Sequence, residues 1–317
     1  MCVWAKDKPA SIGESIAVVA RIDIEEGLRE LGLGVGAIVL VHASLSSFGQ
    51  VDGGAEAVVD AILTTIGPEG TLVAPTFTYL SDTFDPVNTP ACTGMIAETV
   101  RLRPNAVRSL HPTHSVAAIG PLSQTIVEGD EKADTMGRGS ALFKLLQANG
   151  KVLQLGVTHS SNSMIHVAEE LAGLPYVARL RSIRFLTGSG QVVTRRVKAP
   201  GCSRGFEALE EPLRNANAIR ETMIGRCRAR MMSARSVVDA AIALLRDNPE
   251  ALLCNHADCA ACASARATIA ATEAQKIDEE IISQAEQEER TRQIVEERLS
   301  GNEIAYFQSD MGQLSPN

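Results

Sequence analysis

The sequence lacks the long apolar segments of a membrane protein. No stretch approaches the run of about 18–20 apolar residues that spans a bilayer. The first residues, MCVWAKDKPASIGES, lack the continuous apolar core of a signal peptide. The seven cysteines are too few, and odd in number, for a disulfide-framed secreted scaffold. We therefore expect a cytoplasmic protein with reduced thiols and no membrane partner.

Excess positive charge is also missing. Lysine and arginine total 30 against 38 aspartate and glutamate, which gives a formal net charge of -8. Proteins that bind nucleic acid are more often basic, so no nucleic-acid partner is expected. The phosphate-binding patterns GxxxxGK and GxGxxG are absent from the sequence. The 317 residues, 45% of them hydrophobic, are enough for one large folded domain or two small ones.

Short apolar segments alternate with a helical pattern in the first part of the chain. AIVLVH at 37–42 and TLVAP at 71–75 are typical of buried strands. Between them, residues 53–66 carry apolar side chains at helical spacing. A further strand is predicted at 151–156, followed by a helix at about 164–172. Strand, helix and strand within about 40 residues indicate an α/β fold with a parallel or mixed sheet.

The remaining segments add antiparallel strands and helices. Residues 183–197 read as a β-hairpin, and residues 205–246 are predicted to be mainly helical. Residues 264–300 are rich in Ala, Glu, Gln and Arg, which is typical of a solvated helix, and a homodimer through this arm is one hypothesis. The predicted domains are a main domain at 1–253, a Cys/His cluster at 254–263, and a charged helical arm with a loose tail at 264–317.

A histidine and a glutamate follow the strand at 151–156 at helical spacing. Asn162 or Ser163 would cap the helix, which places His166 in the first turn and Glu169 three residues later. The helix N-terminus disfavours the imidazolium form, whereas a neighbouring carboxylate favours it. The two opposing effects suit a neutral histidine that acts as a general base near pH 7. Glu169 would orient its ring. The alternative is a surface His–Glu pair without a catalytic role.

Two loops are rich in hydroxyl groups. The first follows the strand at 37–42 and leads into a helix; the second precedes the apolar stretch VAAIG. Hydroxyls and helix-start N–H groups can hold phosphate. The alternatives are an ordinary polar loop and a structural loop with hydrogen-bonded histidines. The candidate residues are Ser44, Ser46 and Ser47 in the first loop, and Ser109, His111, Thr113 and Ser115 in the second.

Three cysteines and one histidine lie within nine residues near the end of the main domain. Cys254, His256, Cys259 and Cys262 form the pattern C-x-H-x2-C-x2-C. Thiolates and imidazole are the ligands of closed tetrahedral zinc sites, so a structural zinc is predicted. Four protein ligands leave no open position for a catalytic metal. The alternatives are free thiols at a helix start and a site completed by another chain.

Six collinear segments resemble the aminoglycoside 3-N-acetyltransferase family. They are VHASLSSFGQVDGGAEAVVDAIL, IGPEGTLVAPTFTY, FDP, RSLHPTHSVAAIGPL, MGRGSALFKLLQANGKVLQLGV and NSMIHVAE, within residues 14–250. The resemblance implies that family's own α/β fold, a mixed sheet flanked by helices, here with a helical C-terminal extension. This fold is unrelated to the histone-acetylase type of acetyltransferase. The implied reaction moves an acetyl group from acetyl-CoA to a primary amine.

By this resemblance, His166 is the general base and Glu169 its partner, and the two hydroxyl-rich loops contact coenzyme A. Thr76 and Asp85 fall where the acceptor pocket would be. The sequence departs from the family at Ser163, where threonine is usual, and at Ser46, where arginine is common. The implied acceptor is an aminoglycoside, an amino sugar or a related small molecule. The alternatives are a biosynthetic acyltransferase for another amine and a non-catalytic scaffold or carrier-docking protein.

Overall fold

The computed structural model of the chain describes residues 18–187 and 189–310. Its strands are β1 (Ile38–Ala43), β2 (Thr71–Pro75), β3 (Thr83–Phe84), β4 (Val107–Arg108), β5 (Val116–Ile119), β6 (Lys151–Leu155), β7 (Leu180–Leu186), β8 (Val192–Lys198), β9 (Arg220–Ile224) and β10 (Cys227–Ser233). Its α-helices are α1 (Arg21–Glu30), α2 (Gly54–Ile66), α3 (Met95–Leu102), α4 (Ser123–Val127), α5 (Ala141–Gln147), α6 (Met164–Leu171), α7 (Glu210–Asn215), α8 (Ala234–Asp247) and α9 (Ala260–Asp310).

A mixed sheet of seven strands forms the centre of the main unit. Its order is β4-β5-β2-β1-β6-β10-β9. Strand β1 runs parallel to both β2 and β6, and the outer strands pair antiparallel. A smaller sheet joins β3, β7 and β8. The predicted α/β fold, a mixed sheet flanked by helices, is confirmed.

Both faces of the large sheet are buried under helices, which explains why its central strands read as continuous apolar runs. Successive side chains of a strand point to opposite faces. Leu40 therefore joins one core cluster with side chains of α5, α6 and α8. Val39 and Val41 join a second cluster with side chains of α1, α2 and α3. The helices thus hold the ends of β1 and β6 in a rigid frame.

The prediction that residues 205–246 are mainly helical is wrong in its middle part. Strands β9 and β10 form a hairpin there, and β10 pairs with β6. Gly225 makes the two-residue connection with a φ of 57°, a left-handed conformation that glycine adopts without strain. The hairpin extends the sheet at the edge nearest β6, and α8 follows it directly.

The chain divides into two units between Arg266 and Ala267. The first unit contains both sheets, and the second consists, in its described part, of helix. Helix α9 extends to Asp310, beyond the predicted end near residue 300. The rest of the predicted loose tail, 311–317, lies outside the described residues. Among the helices described, none is both long enough and apolar enough to cross a bilayer.

Candidate active site

A cavity of about 820 Å³ opens where the parallel strands β1 and β6 end. The carboxyl ends of parallel strands meet at one edge of a sheet, where α/β proteins commonly bind ligands. His42 and Ala43 from the end of β1 line the cavity, as do Pro75 from the end of β2 and Ser160–Ser163 from the loop after β6. The sheet topology thus brings together loops that are distant in sequence.

Two hydrogen bonds fix the start of α6 at this edge. Asn162 Oδ1 accepts from the backbone N–H of Met164 at 3.2 Å. The N–H of Ser163 donates to His42 Nε2 at 3.4 Å. Burial lowers the pKa of His42 to about 3, so this imidazole stays neutral and can accept the bond. The helix therefore begins at a defined position relative to β1.

His166 and Glu169 lie in contact on α6. Nδ1 of His166 is 2.6 Å from Glu169 Oε2, and the Tyr176 hydroxyl donates to Oε1 of the same carboxylate at 2.9 Å. Glu169 is only 2% exposed. Phe206 packs edge-on against the imidazole, with ring centroids 4.8 Å apart. The ring of His166 is thus held from two sides, by a buried carboxylate and by an aromatic ring.

Two polar atoms beside the cavity have no hydrogen-bond partner among the described residues. With Nδ1 hydrogen-bonded to Glu169, the other ring nitrogen of His166 has no recorded partner among the described residues. Asn162 is fully buried, and its Nδ2 has no hydrogen-bond partner in the same part of the chain. Both residues line the cavity. The cavity lining thus includes a histidine with one unpaired ring nitrogen and an asparagine whose buried amide nitrogen lacks a partner among the described residues.

The loop at 109–115 contributes Thr113 and His114 to the cavity wall. His111 lies behind them, where its Nδ1 accepts from the backbone N–H of Thr113 at 3.3 Å and of His114 at 3.0 Å. Burial lowers the pKa of His111 to about 4, and it also lowers that of His114. His114 packs against Phe77, with centroids 4.6 Å apart. His114 belongs to the hydroxyl-rich motif at 109–115 but is not among the contacts predicted from it.

Three predicted ligand contacts lie in the core instead of on the cavity wall. Thr76 and Ser115 are fully buried and bond each other, with Ser115 Oγ donating to the Thr76 carbonyl at 2.8 Å. Ser109 Oγ donates to Asp130 Oδ2 at 2.5 Å, and it accepts from the N–H of Val116. These hydroxyls hold β2, β5 and the adjoining loops together. Burial of the hydroxyls leaves them no contact with the cavity.

Asp85 also has a local role in the structure. Its carboxylate accepts from the side chain of Asn88 at 2.8 Å and from the backbone N–H groups of Val87 and Asn88. These hydrogen bonds, with that of the Asn88 side chain foremost, lower the pKa of Asp85. Asp85 closes a turn and does not line the cavity. Neither Thr76 nor Asp85 lines this cavity, and their assignment to the acceptor pocket, which rests on the family resemblance alone, stays a prediction.

The serine-rich turn after β1 lies next to the strand ends but outside this cavity lining. A short 3-10 helix spans Leu45–Phe48. Ser44 Oγ and Ser46 Oγ are 3.1 Å apart, and Ser47 Oγ donates to the Ser44 carbonyl at 2.7 Å. Ser46 is exposed, whereas Ser44 and Ser47 are half-buried. The hydroxyls of Ser44 and Ser46 remain open to a ligand.

Four cationic side chains form part of the cavity wall: Arg179, Arg181, Lys198 and Arg204. Lys198 is paired with Asp134 and Glu170 at 2.8 and 2.9 Å. By contrast, no described carboxylate forms an ion pair with the guanidinium of Arg179 or Arg181. The described lining of the cavity contains neither Asp nor Glu. The charge facing a ligand is therefore positive.

Four cysteines converge beside this wall. The Sγ atoms of Cys202, Cys254, Cys259 and Cys262 all lie within 4.8 Å of one another. Three of them are predicted metal ligands, whereas the fourth, Cys202, comes from the segment after β8. The predicted ligand His256 is exposed and is not part of the group. The sequence pattern pointed to a compact cluster, and the fold replaces its histidine with a distant cysteine.

A histidine held by a carboxylate lies beside a cavity at the edge of an α/β sheet, the kind of place where α/β proteins bind ligands. A match to a known protein family identifies the class of this protein. Residues 40–246 match the family model described as Aminoglycoside 3-N-acetyltransferase. The chain belongs to this family, and it is an acyl-CoA-dependent N-acetyltransferase by class.

Individual relatives agree with this assignment. The chain is 30% identical over 225 residues to an aminoglycoside N(3)-acetyltransferase IV from Salmonella sp., which covers 70% of the chain and 85% of the relative. An aminoglycoside N(3)-acetyltransferase III from Acinetobacter baumannii is 34% identical over 173 residues, 48% of the chain and 60% of the relative. A crystal structure of AAC(3)-IVa, a histidine-to-alanine mutant in complex with a gentamicin, superposes with a TM-score of 0.75 at 28% identity. It covers 82% of the chain and all of that structure.

Proposed function

We propose that the enzyme transfers an acetyl group from acetyl-CoA to the primary amine of an aminoglycoside, an amino sugar or a related small molecule. The observation that carries the proposal is the 2.6 Å contact between His166 Nδ1 and Glu169 Oε2 on the wall of the cavity. Glu169 holds the proton on Nδ1 and leaves Nε2 as the basic atom. This is the arrangement needed to deprotonate an amine.

The residues of the cavity support each step of the transfer. An ammonium group of the acceptor loses a proton to His166 Nε2, and the free amine attacks the thioester carbonyl carbon. The unpartnered Asn162 Nδ2 would donate to the oxygen that becomes negative in the tetrahedral intermediate. The attached nitrogen gives up its extra proton, collapse of the intermediate breaks the carbon–sulfur bond, and the coenzyme A thiolate takes up that proton. The products are the N-acetyl amine and free thiol.

Coenzyme A carries phosphates, which hydroxyl and N–H donors can hold. Among the donors predicted by resemblance, the turn of Ser44, Ser46 and Ser47 is partly or fully exposed, and Thr113 is buried but belongs to the cavity lining. We propose these residues as coenzyme A contacts. His111 supports the loop from behind, because its Nδ1 accepts two backbone N–H groups.

The charge of the cavity favours a second candidate for the acceptor, an amine that also bears a phosphate or carboxylate. A polycationic aminoglycoside would face Arg179 and Arg181, which no described carboxylate neutralises. Like charges 4 Å apart repel by about 1 kcal/mol in water, and by more near a protein surface. An anionic group beside the amine would instead attract these guanidinium groups. The positively charged cavity wall thus favours the biosynthetic alternative, with an acceptor that carries an anionic group.

A thiol-release assay with acetyl-CoA tests both candidates. The panel consists of gentamicin, apramycin, glucosamine and glucosamine 6-phosphate. Release with any of them establishes the acyl transfer, and the preferred acceptor distinguishes the two candidates. If the purified chain neither releases thiol with the panel nor shows a thermal shift with acetyl-CoA, the scaffold interpretation replaces the proposal.

A further inference from the structure

The cysteine group has the geometry of a closed metal site. Cys202 Sγ and Cys254 Sγ are 3.9 Å apart, and all four Sγ atoms lie within 4.8 Å of one another. A tetrahedral zinc ion with Zn–S bonds of about 2.3 Å places its sulfur ligands about 3.8 Å apart. A disulfide needs about 2.05 Å between sulfur atoms, so the group does not match two cystine bridges.

Backbone N–H donors already point at two of these sulfur atoms. The N–H of Cys254 donates to Cys262 Sγ at 3.4 Å, and the N–H of Arg204 donates to Cys202 Sγ at 3.3 Å. Such donors stabilise thiolate ligands and offset the negative charge of a tetrathiolate site.

We propose that Cys202, Cys254, Cys259 and Cys262 bind one zinc ion in a closed tetrathiolate site. Soft thiolates in a tetrahedral arrangement select zinc or iron–sulfur centres among the common metals. The four Sγ atoms surround a space for a single ion and leave no position for substrate. The ligand set differs from the one predicted by spacing, because Cys202 takes the place of the exposed His256.

The zinc ion would fix one wall of the active-site cavity. Cys202 and Arg204 line the cavity, and Phe206, four residues after Cys202, packs against His166. Between them, Gly205 approaches the opposite backbone so closely that an added Cβ would lie 2.4 Å from Leu252 O. A metal that ties Cys202 to the cysteines at 254–262 therefore positions this wall without touching substrate.

Zinc content and two matched variants test the ligand set. The full chain, its Cys202→Ser variant and its His256→Ala variant are produced with zinc in the medium and analysed by elemental mass spectrometry. We expect about one zinc per chain in the wild type and in His256→Ala, and less than about a tenth of an equivalent in Cys202→Ser. His256→Ala is the matched control, since it removes the predicted ligand that the fold leaves exposed.

Several results would overturn the proposal. Zinc retained in Cys202→Ser but lost from His256→Ala would show that His256, and not Cys202, is the fourth zinc ligand. Iron in place of zinc, or a mass that shows two intramolecular disulfides, would refute a zinc site. If Cys202→Ser fails to fold, cobalt substitution of the wild type decides, because a tetrathiolate cobalt spectrum is distinct from that of a site with one imidazole ligand.

Hydrogen exchange tests the positioning role without any acceptor. Removal of zinc by a chelator should speed amide exchange in the segment 199–206 by at least about 10-fold, whereas β1 should be unaffected. Unchanged exchange in this segment after complete loss of zinc would show that the metal does not position the wall.

Discussion

The hydroxyl of Tyr176 donates a 2.9 Å hydrogen bond to Glu169 Oε1, while Oε2 of the same carboxylate contacts His166. One buried carboxylate thus links a phenol to the proposed base. Tyr176 lies beyond α6, so the orientation of the imidazole depends on a residue outside its own helix. Burial and the charge of Glu169 raise the pKa of Tyr176, which keeps the phenol protonated as a donor.

Replacing Tyr176 with phenylalanine should lower kcat while leaving the acceptor KM nearly unchanged. A hydrogen bond to a charged group contributes about 1.5–3 kcal/mol, so the expected fall is about 10- to 150-fold. The measurement is steady-state kinetics, with the unfolding midpoint in urea as a control for stability. A rise in KM with constant kcat would mean that Tyr176 acts on the cavity wall instead of on the base.

His166→Ala should lower kcat by about 10²–10⁴-fold, the usual contribution of a general base. Glu169→Gln should give a smaller loss, because the base remains but its partner no longer carries charge. Glu170→Gln is the matched control, since Glu170 lies on the same helix and pairs with Lys198 instead. Equal losses in Glu169→Gln and Glu170→Gln would argue against the proposed pair.

Arg181→Gln and Arg179→Gln should weaken discrimination in favour of an anionic acceptor. We expect the ratio of kcat/KM for glucosamine 6-phosphate to that for glucosamine to fall by about 10-fold, as one charge-assisted contact is lost. Arg196→Gln is the control, because Arg196 is exposed on β8 and does not line the cavity. A rise in the KM of acetyl-CoA with an unchanged ratio would assign the arginines to the coenzyme phosphates.

Gly205→Ala should destabilise the fold, because the new Cβ would lie 2.4 Å from Leu252 O and 2.8 Å from the Cys254 nitrogen. These neighbours are backbone atoms, so relief requires the two segments to separate, at a cost of about 1–3 kcal/mol in unfolding free energy. Gly201→Ala is the matched control, since nothing lies within 4 Å of its added Cβ. Equal melting temperatures for the two variants would contradict the close approach.

The free energy of unfolding should fall as the pH drops below about 6.5. Below this pH the histidines of the unfolded chain bind protons, whereas the same histidines remain neutral when buried in the fold. The pKa of His111 is lowered to about 4 by burial. The neutral form in the fold therefore contributes stability at pH 7 that is lost towards pH 4, about 2 kcal/mol at pH 5. His111→Asn retains an acceptor for the two backbone N–H groups but cannot titrate.

Chemical denaturation at pH 7.5 and 5.0 should therefore show a smaller drop in unfolding free energy for His111→Asn than for the wild type. Asp130, whose pKa is raised to about 6 by burial, acts in the opposite direction between pH 4 and 6. Its contribution is common to both proteins and cancels in the comparison. Equal drops would show that His111 is not a neutral buried group in the fold.

The central strands and the His–Glu pair were predictable because their information is local. Apolar runs at 37–42, 71–75 and 151–156 correspond to β1, β2 and β6. The i, i+3 spacing of His166 and Glu169 brings the two side chains together on any helix. The hairpin of β9 and β10 was missed, because its stability comes from pairing with β6, more than 60 residues earlier.

The sequence alone determined the fold class, the His–Glu pair and the existence of a cysteine cluster through periodicity and short spacing, and it indicated the family through the resemblance of six collinear segments. Only the tertiary structure decided which groups face the cavity. It placed Thr76, Ser109 and Ser115 in the core, and it brought Arg179 and Arg181 to the cavity wall. It also joined Cys202 to cysteines more than 50 residues away. Such contacts depend on how separate elements pack, which no local pattern records.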